Sequence, residues 1–112
     1  MSLKELIPLQ QYATPSERGV TNRLVSAALK RGYLISVYDG EDWVVRRSFT
    51  RHDILSALCT TEHDVLRLSH PDETAIGNIW LIWGNEPDGS ELIADYTDNQ
   101  IISDLVAISE GN

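Results

Sequence analysis

The sequence predicts an α+β domain, a five-stranded antiparallel sheet with helices packed on it in the order α-β-β-α-β-β-β-α. Three observations carry that prediction. Residues 33–48, YLISVYDGEDWVVRRS, place two runs rich in β-branched and aromatic residues on either side of Asp39-Gly40, a dipeptide suited to the positive φ of a tight hairpin turn. Three further apolar runs, at 65–69, 75–83 and 91–96, are joined by short links, and neighbouring strands joined in this way pair antiparallel. Before, between and after these runs, apolar residues recur at helical spacing.

Residues 1–13 read as an N-terminal arm, with Leu3, Leu6, Ile7 and Leu9 apolar enough to dock on the domain's own core or on a second copy of the chain. Residues 14–112 read as a single domain. Thr14-Pro15-Ser16-Glu17 opens the first helix: Thr14 is the N-cap, Pro15 loses no hydrogen bond at the first helical position, and Glu17 completes a capping box. Val20, Leu24, Ala27 and Ala28 form its buried face, Lys30 and Arg31 suit the helix dipole, and Gly32 stops it. Gly19 weakens the first turn, so the helix is expected to settle only after it.

The hairpin that follows has two possible registers. A two-residue loop pairs Tyr38 with Glu41, whereas a four-residue loop from Asp39 to Asp42 pairs Tyr38 with Trp43. The second is favoured, because it leaves three acids in water and sets two large rings side by side. Ser48 or Thr50 caps a short second helix with Ile54, Leu55 and Leu58 on its buried side, and the acidic link through Glu62 and Asp64 leads to the third strand. The fourth strand is apolar on both faces over its second half, which suits a position covered on both sides. Gly84–Ser90 is a loop by composition, and Thr97 or Asp98 caps the last helix, whose stripe is Ile101, Ile102, Leu105, Val106 and Ile108.

The chain has 112 residues and a net charge of −8. Eight bases and five acids precede Asp53, and one base and twelve acids follow from there, so the halves carry +3 and −11. The acidic half repels phosphates and anionic lipid, which argues against direct nucleic acid or membrane binding. A basic protein partner, or solubility alone, suits it better. The single cysteine, Cys59, excludes an internal disulfide and reads as a buried, unreactive thiol. No run approaches a membrane span, and Lys4, Glu5 and Pro8 interrupt the first apolar stretch, so a cytoplasmic location is expected.

The combination ISVYDGEDWVVRRS, TTEHDVLRL, IWLIWGN and ELIADYTDN resembles a set of short, uncharacterised bacterial and bacteriophage proteins that share this hairpin and an ADYTDN-type ending. The resemblance spans roughly residues 22 to 106. It implies no activity, cofactor or catalytic residue; it implies a mobile-element setting, in which small accessory proteins bind host components.

No reaction chemistry is specified by the residues themselves. His52, His63 and His70 are spaced eleven and seven apart, unlike the tight pairs of metal sites, and no metal or cofactor is expected. No GxSxG elbow, P-loop or dinucleotide fingerprint occurs. Asp95, on the same side of its strand as Ile93, is the acid to watch, as a partly buried partner of Arg46, Arg47 or Arg67. Trp80 and Trp83 lie three apart on a strand and so face opposite ways. Tyr38, Trp43, Arg46 and Trp83 are the candidate binding residues, since aromatic and arginine side chains dominate protein interfaces. The leading expectation is a non-enzymatic, acidic accessory protein that binds another protein, with imitation of DNA as a subtype. A self-associating homodimer, and a small ligand-binding domain or enzyme with a pocket at His63, His70 or Asp95, are the alternatives.

Overall fold

A computed structural model of the chain describes residues 13–84 and 90–111. The expected arm, apart from Ala13, and the middle of the Gly84–Ser90 loop lie outside the described residues. Helix α1 (Pro15–Lys30) starts at its capping box: Thr14 Oγ1 accepts from the Glu17 N–H at 3.2 Å, and Glu17 Oε1 accepts from the Thr14 N–H at 2.9 Å. Gly19 does not delay the helix, because the box and Pro15 fix the first turn before it. At the other end Gly32 (φ 83°) donates to Leu29 O and Tyr33 donates to Ala28 O, the paired bonds of a Schellman stop.

Strands β1 (Leu34–Tyr38) and β2 (Trp43–Ser48) form the hairpin with the four-residue loop, Tyr38 opposite Trp43. Asp39 Oδ1 accepts from the Glu41 and Asp42 N–H groups, both at 2.9 Å, and these bonds, that of Asp42 foremost, hold its carboxyl below the ordinary value. Helix α2 (Arg51–Ala57) leads to β3 (His63–Ser69), β4 (Ala75–Ile82), β5 (Ile93–Tyr96) and helix α3 (Gln100–Ser109). Thr50 holds the N-cap position of α2 without a side-chain bond; Ser48 Oγ instead accepts from the Thr50 N–H. The cap of α3 is Asn99, not Thr97 or Asp98: Asn99 Oδ1 accepts from the Ile102 N–H at 2.9 Å. Thr97 is already engaged, its Oγ1 accepting from the Asn78 N–H beside β4.

The sheet order is β2-β1-β3-β4-β5, antiparallel throughout. Because β2 and β3 both run against β1, they run parallel to each other, and the link through α2 crosses β1. One core joins the three helices to alternate sheet residues: Ile35 and Val37, Leu66 and Leu68, Ile79 and Leu81. Those alternate positions share one face of the pleat, so the helices cover that face only. The expectation that β4 is covered on both sides is therefore wrong. Ile79 and Leu81 are fully buried, while Trp80 and Ile82, between and beyond them, are each 37% exposed.

Gly77 faces the helices where α3 approaches most closely; a Cβ there would lie 2.9 Å from Thr97 Cβ and 3.0 Å from Ile102 Cγ1. Gly77→Ala is expected to lower stability by about 1–3 kcal/mol through overpacking. Gly19→Ala, whose Cβ meets only the flexible end of Arg23, is expected to raise it by about 0.5–1 kcal/mol. Urea midpoints of the two variants check both signs at once.

Candidate binding site on the open sheet face

The strand register sets one row of side chains across the uncovered face: Trp43, Tyr38, Val65, Trp80 and Asp95, one from each strand. An antiparallel sheet with a solvated face ordinarily presents polar residues there. Here the row is mostly aromatic and aliphatic. The Tyr38 and Trp43 rings sit 5.1 Å apart at 52°, and the Arg67 guanidinium lies over Trp43, 4.6 Å from the ring centroid. Arg67 is steadied by donating its Nε–H to Asn78 Oδ1 at 3.2 Å.

Strand β2 is irregular in a way that matters for this face. Ile35 pairs with Ser48 and Val37 with Val45, so Arg46 and Arg47 together oppose Ser36. This is a β-bulge, and Arg47 adopts φ 47°, with its N–H donating to Ser36 Oγ at 2.9 Å. In a regular strand, consecutive residues point to opposite faces. The bulge instead lets both arginines line one cleft of about 220 Å³, with Ser36, Trp43, Arg67, Ser69, Glu73 and Ala75. Ser36 and Ser69 are buried in it, and Glu73 Oε2 lies 3.3 Å from Arg47 Nη1 with both side chains open to solvent. Farther along the row, His63, Trp80, Leu81, Ile82, Ala94 and Asp95 line a second hollow, also of about 220 Å³.

Three of the four candidate binding residues, Tyr38, Trp43 and Arg46, thus meet on the open face. Trp83 does not join them. It packs against the core just beyond β4, and its indole N–H donates to Asp64 Oδ2 at 2.7 Å. Asp95 is a correction as well: it is exposed, bonds the N–H of its own neighbour Tyr96, and makes no ion pair with Arg46, Arg47 or Arg67 among the described residues. Of the pocket alternatives, His63 and Asp95 share the second hollow, whereas His70 stands edge-on to the Tyr33 ring, 5.7 Å away. Among the described residues no group of three or more His, Cys, Asp or Glu is placed to hold a metal ion. Among the described residues, the acids of the second half are distributed over α2, β3, the β3–β4 turn, β5 and α3 rather than collected on one element.

Buried carboxylates occur where the sequence reading did not look. Asp64 shares the core-facing parity of Leu66 and Leu68 and is fully buried; its Oδ2 accepts from the Cys59 N–H at 2.9 Å as well as from Trp83. The alternation Asp64-Leu66-Leu68 was the available signal, hidden by starting the strand at Val65. Glu17, also buried, uses Oε2 to accept from the Gly84 N–H at 2.7 Å, so the capping-box residue also ties α1 to the end of β4. Cys59 is buried, as expected, and burial pushes its thiol up to about 11, which keeps it protonated and a poor nucleophile at neutral pH. No helix among the described residues is long and apolar enough to cross a membrane.

Comparison with protein-family models, curated proteins and solved structures gave no match to this chain.

Burial raises the Asp64 carboxyl above its ordinary value, against the pull of its two donors, and Oδ1 has no hydrogen-bond partner among the described residues. The folded state therefore holds this proton more tightly than the unfolded chain. Its stabilising contribution is complete below the unfolded value near 3.8 and is lost as pH rises through the folded value. Asp64→Asn keeps an acceptor for both donors and removes the titration, so its stability relative to the parent is expected to climb as pH goes from 4 to 7. Asp64→Ala strands both donors and is expected to cost about 2–4 kcal/mol near pH 4, a cost that narrows as pH rises because the parent loses the same contribution, read from urea midpoints.

Proposed function

We propose that this protein is a non-enzymatic binding module that engages another protein through the open face of its sheet. The observation that carries the reading is the uncovered row from Trp43 to Trp80, flanked by Arg46, Arg47 and Arg67. Tryptophan, tyrosine and arginine are the side chains that supply most interface energy, since each buries a large area with few rotatable bonds or many donors. Helices would hide such rings if they served only the core. The polar groups capable of chemistry support the same reading. The Cys59 thiol is buried and protonated, Asp64 is saturated on one oxygen by structural donors, and His70 packs on Tyr33. The resemblance to short bacterial and bacteriophage proteins suggests a host component as the partner.

Affinity capture from lysate of the source cell tests this, with the parent protein, Trp43→Ala, Trp80→Ala and the helix-side control Lys30→Ala as baits, each first confirmed folded by circular dichroism. Proteins retained by the parent and by Lys30→Ala, but lost from both tryptophan variants, are expected. An identical retained set for all four baits would overturn the proposal.

A further inference from the structure

Resting on the open face as a protein-binding surface, we infer the chemistry of what it binds: an acidic segment of the partner, one carboxylate entering the cleft of Arg46, Arg47 and Arg67 and a large apolar side chain covering the hollow at Trp80 and Ile82. The charge argument comes first. Three guanidiniums face one carboxylate in the cleft, a local surplus of two positive charges in a chain whose net charge is −8. General solubility needs no such reversal, and gathering three like charges around one cleft costs energy unless an anion joins them.

The backbone gives an independent argument. Non-glycine residues rarely adopt positive φ, and among the described residues only Arg47 (φ 47°), Cys59 (φ 61°) and Glu73 (φ 74°) do so. Two of these three are the partners of the ion pair at the cleft. Each such conformation costs on the order of 1–3 kcal/mol, a cost that a solvent-exposed ion pair worth about 0–1 kcal/mol does not offset. The strain aims the pair's side chains into the cleft. Glu73 also shows which anion suits the site, since a carboxylate already sits against Arg47. An incoming carboxylate competes with it and gains Arg46, whose guanidinium makes no hydrogen bond or ion pair among the described residues.

The register then sets the spacing. Trp43 and Trp80 stand on strands three steps apart in the sheet, about 14 Å at roughly 4.8 Å per step. An extended segment covers that distance in about four residues, at roughly 3.3 Å each. A nucleic acid strand fits less well, because its phosphates need positive charge along the whole path. Here Asp39, Glu41 and Asp42 bound the row beside Trp43, and Asp95 closes it beyond Trp80.

The test uses the full chain labelled with ¹⁵N, following the Trp43 indole and arginine Nε–H signals by NMR. The probe is a synthetic peptide with paired glutamates and, about four residues on, a leucine; a glutamine counterpart is the control. Saturable shifts with the glutamate peptide are expected, about tenfold weaker with the glutamine one. Arg46→Gln is expected to weaken binding by about fivefold or more, and Glu73→Gln, which removes the internal competitor, to strengthen it severalfold. The inference is overturned if inorganic phosphate saturates the same signals at lower concentration than the peptide, if a single-stranded oligonucleotide displaces the peptide, or if Glu73→Gln weakens binding. Absence of any shift overturns the acidic-segment chemistry while leaving the capture experiment standing. Peptide binding alongside capture indifferent to Trp43→Ala and Trp80→Ala would instead remove the broader reading and leave the cleft.

Discussion

One-sided coverage of the sheet is the constraint from which the rest of this structure follows. The three helices bury the Ile35, Val37, Leu66, Leu68, Ile79 and Leu81 side of the pleat, and each strand residue between them is consigned to the other side. The Schellman stop at Gly32 turns the chain directly from α1 into β1, and the close passage at Gly77 lets α3 rest on β4. Two buried carboxylates then lock the periphery of that layer. Glu17 joins the start of α1 to Gly84, and Asp64 joins Cys59, just past α2, to Trp83. Both act on the exit of β4, so this corner is held by carboxyl acceptors where apolar packing alone would leave backbone and indole donors unsatisfied.

The irregular β2 has an ordinary explanation that must be weighed against a functional one. It is an edge strand, and bulges and charged side chains blunt an edge against pairing with another chain. That accounts for a break in the ladder and for arginines on it. It does not account for the direction of the break. Edge protection is served equally by arginines splayed to both sides, whereas here Arg46, Arg47 and Arg67, the last from β3 in the interior of the sheet, line one cleft with Trp43. Nor does it call for Glu73, on the far side of β3, to adopt positive φ opposite Arg47.

Much of this was legible in the sequence, for physical reasons that can be named. The order of elements followed from turn chemistry and periodicity, and the hairpin register followed from asking where two rings gain most by meeting. The start of α1 was legible because its cap is local, complete within Thr14–Glu17. What was not legible depended on parity or on neighbours. Asp64 looked like part of an acidic link until the strand was extended by two residues, and then its alternation with Leu66 places it inside. The meeting of Arg46 and Arg47 in one cleft was not legible, because nothing in VVRRS announces a bulge; that feature depends on Ser36 across the hairpin. Apolar residues on both faces of β4 implied two covering layers, yet Trp80 and Ile82 show that the second apolar face is open to solvent. Asp95 was expected to be partly buried near Arg46, Arg47 or Arg67 from its position beside Ile93, but β4, the one strand next to it, carries no base.

Charge shows most clearly why local geometry outranks composition. At ionic strengths near 0.15 M, fields from exposed charges fade over about 8 Å, so an anionic segment approaching a protein of net charge −8 meets weak general repulsion until it is nearly in contact. At contact, the surplus of two positive charges in the cleft acts over a few ångströms, through guanidiniums of which one is held over the Trp43 ring. The distant field therefore opposes every acidic chain alike and only weakly, and any discrimination among them falls to contact at the cleft. The net charge of the chain and the local charge of the cleft have opposite signs, and they act over different distances.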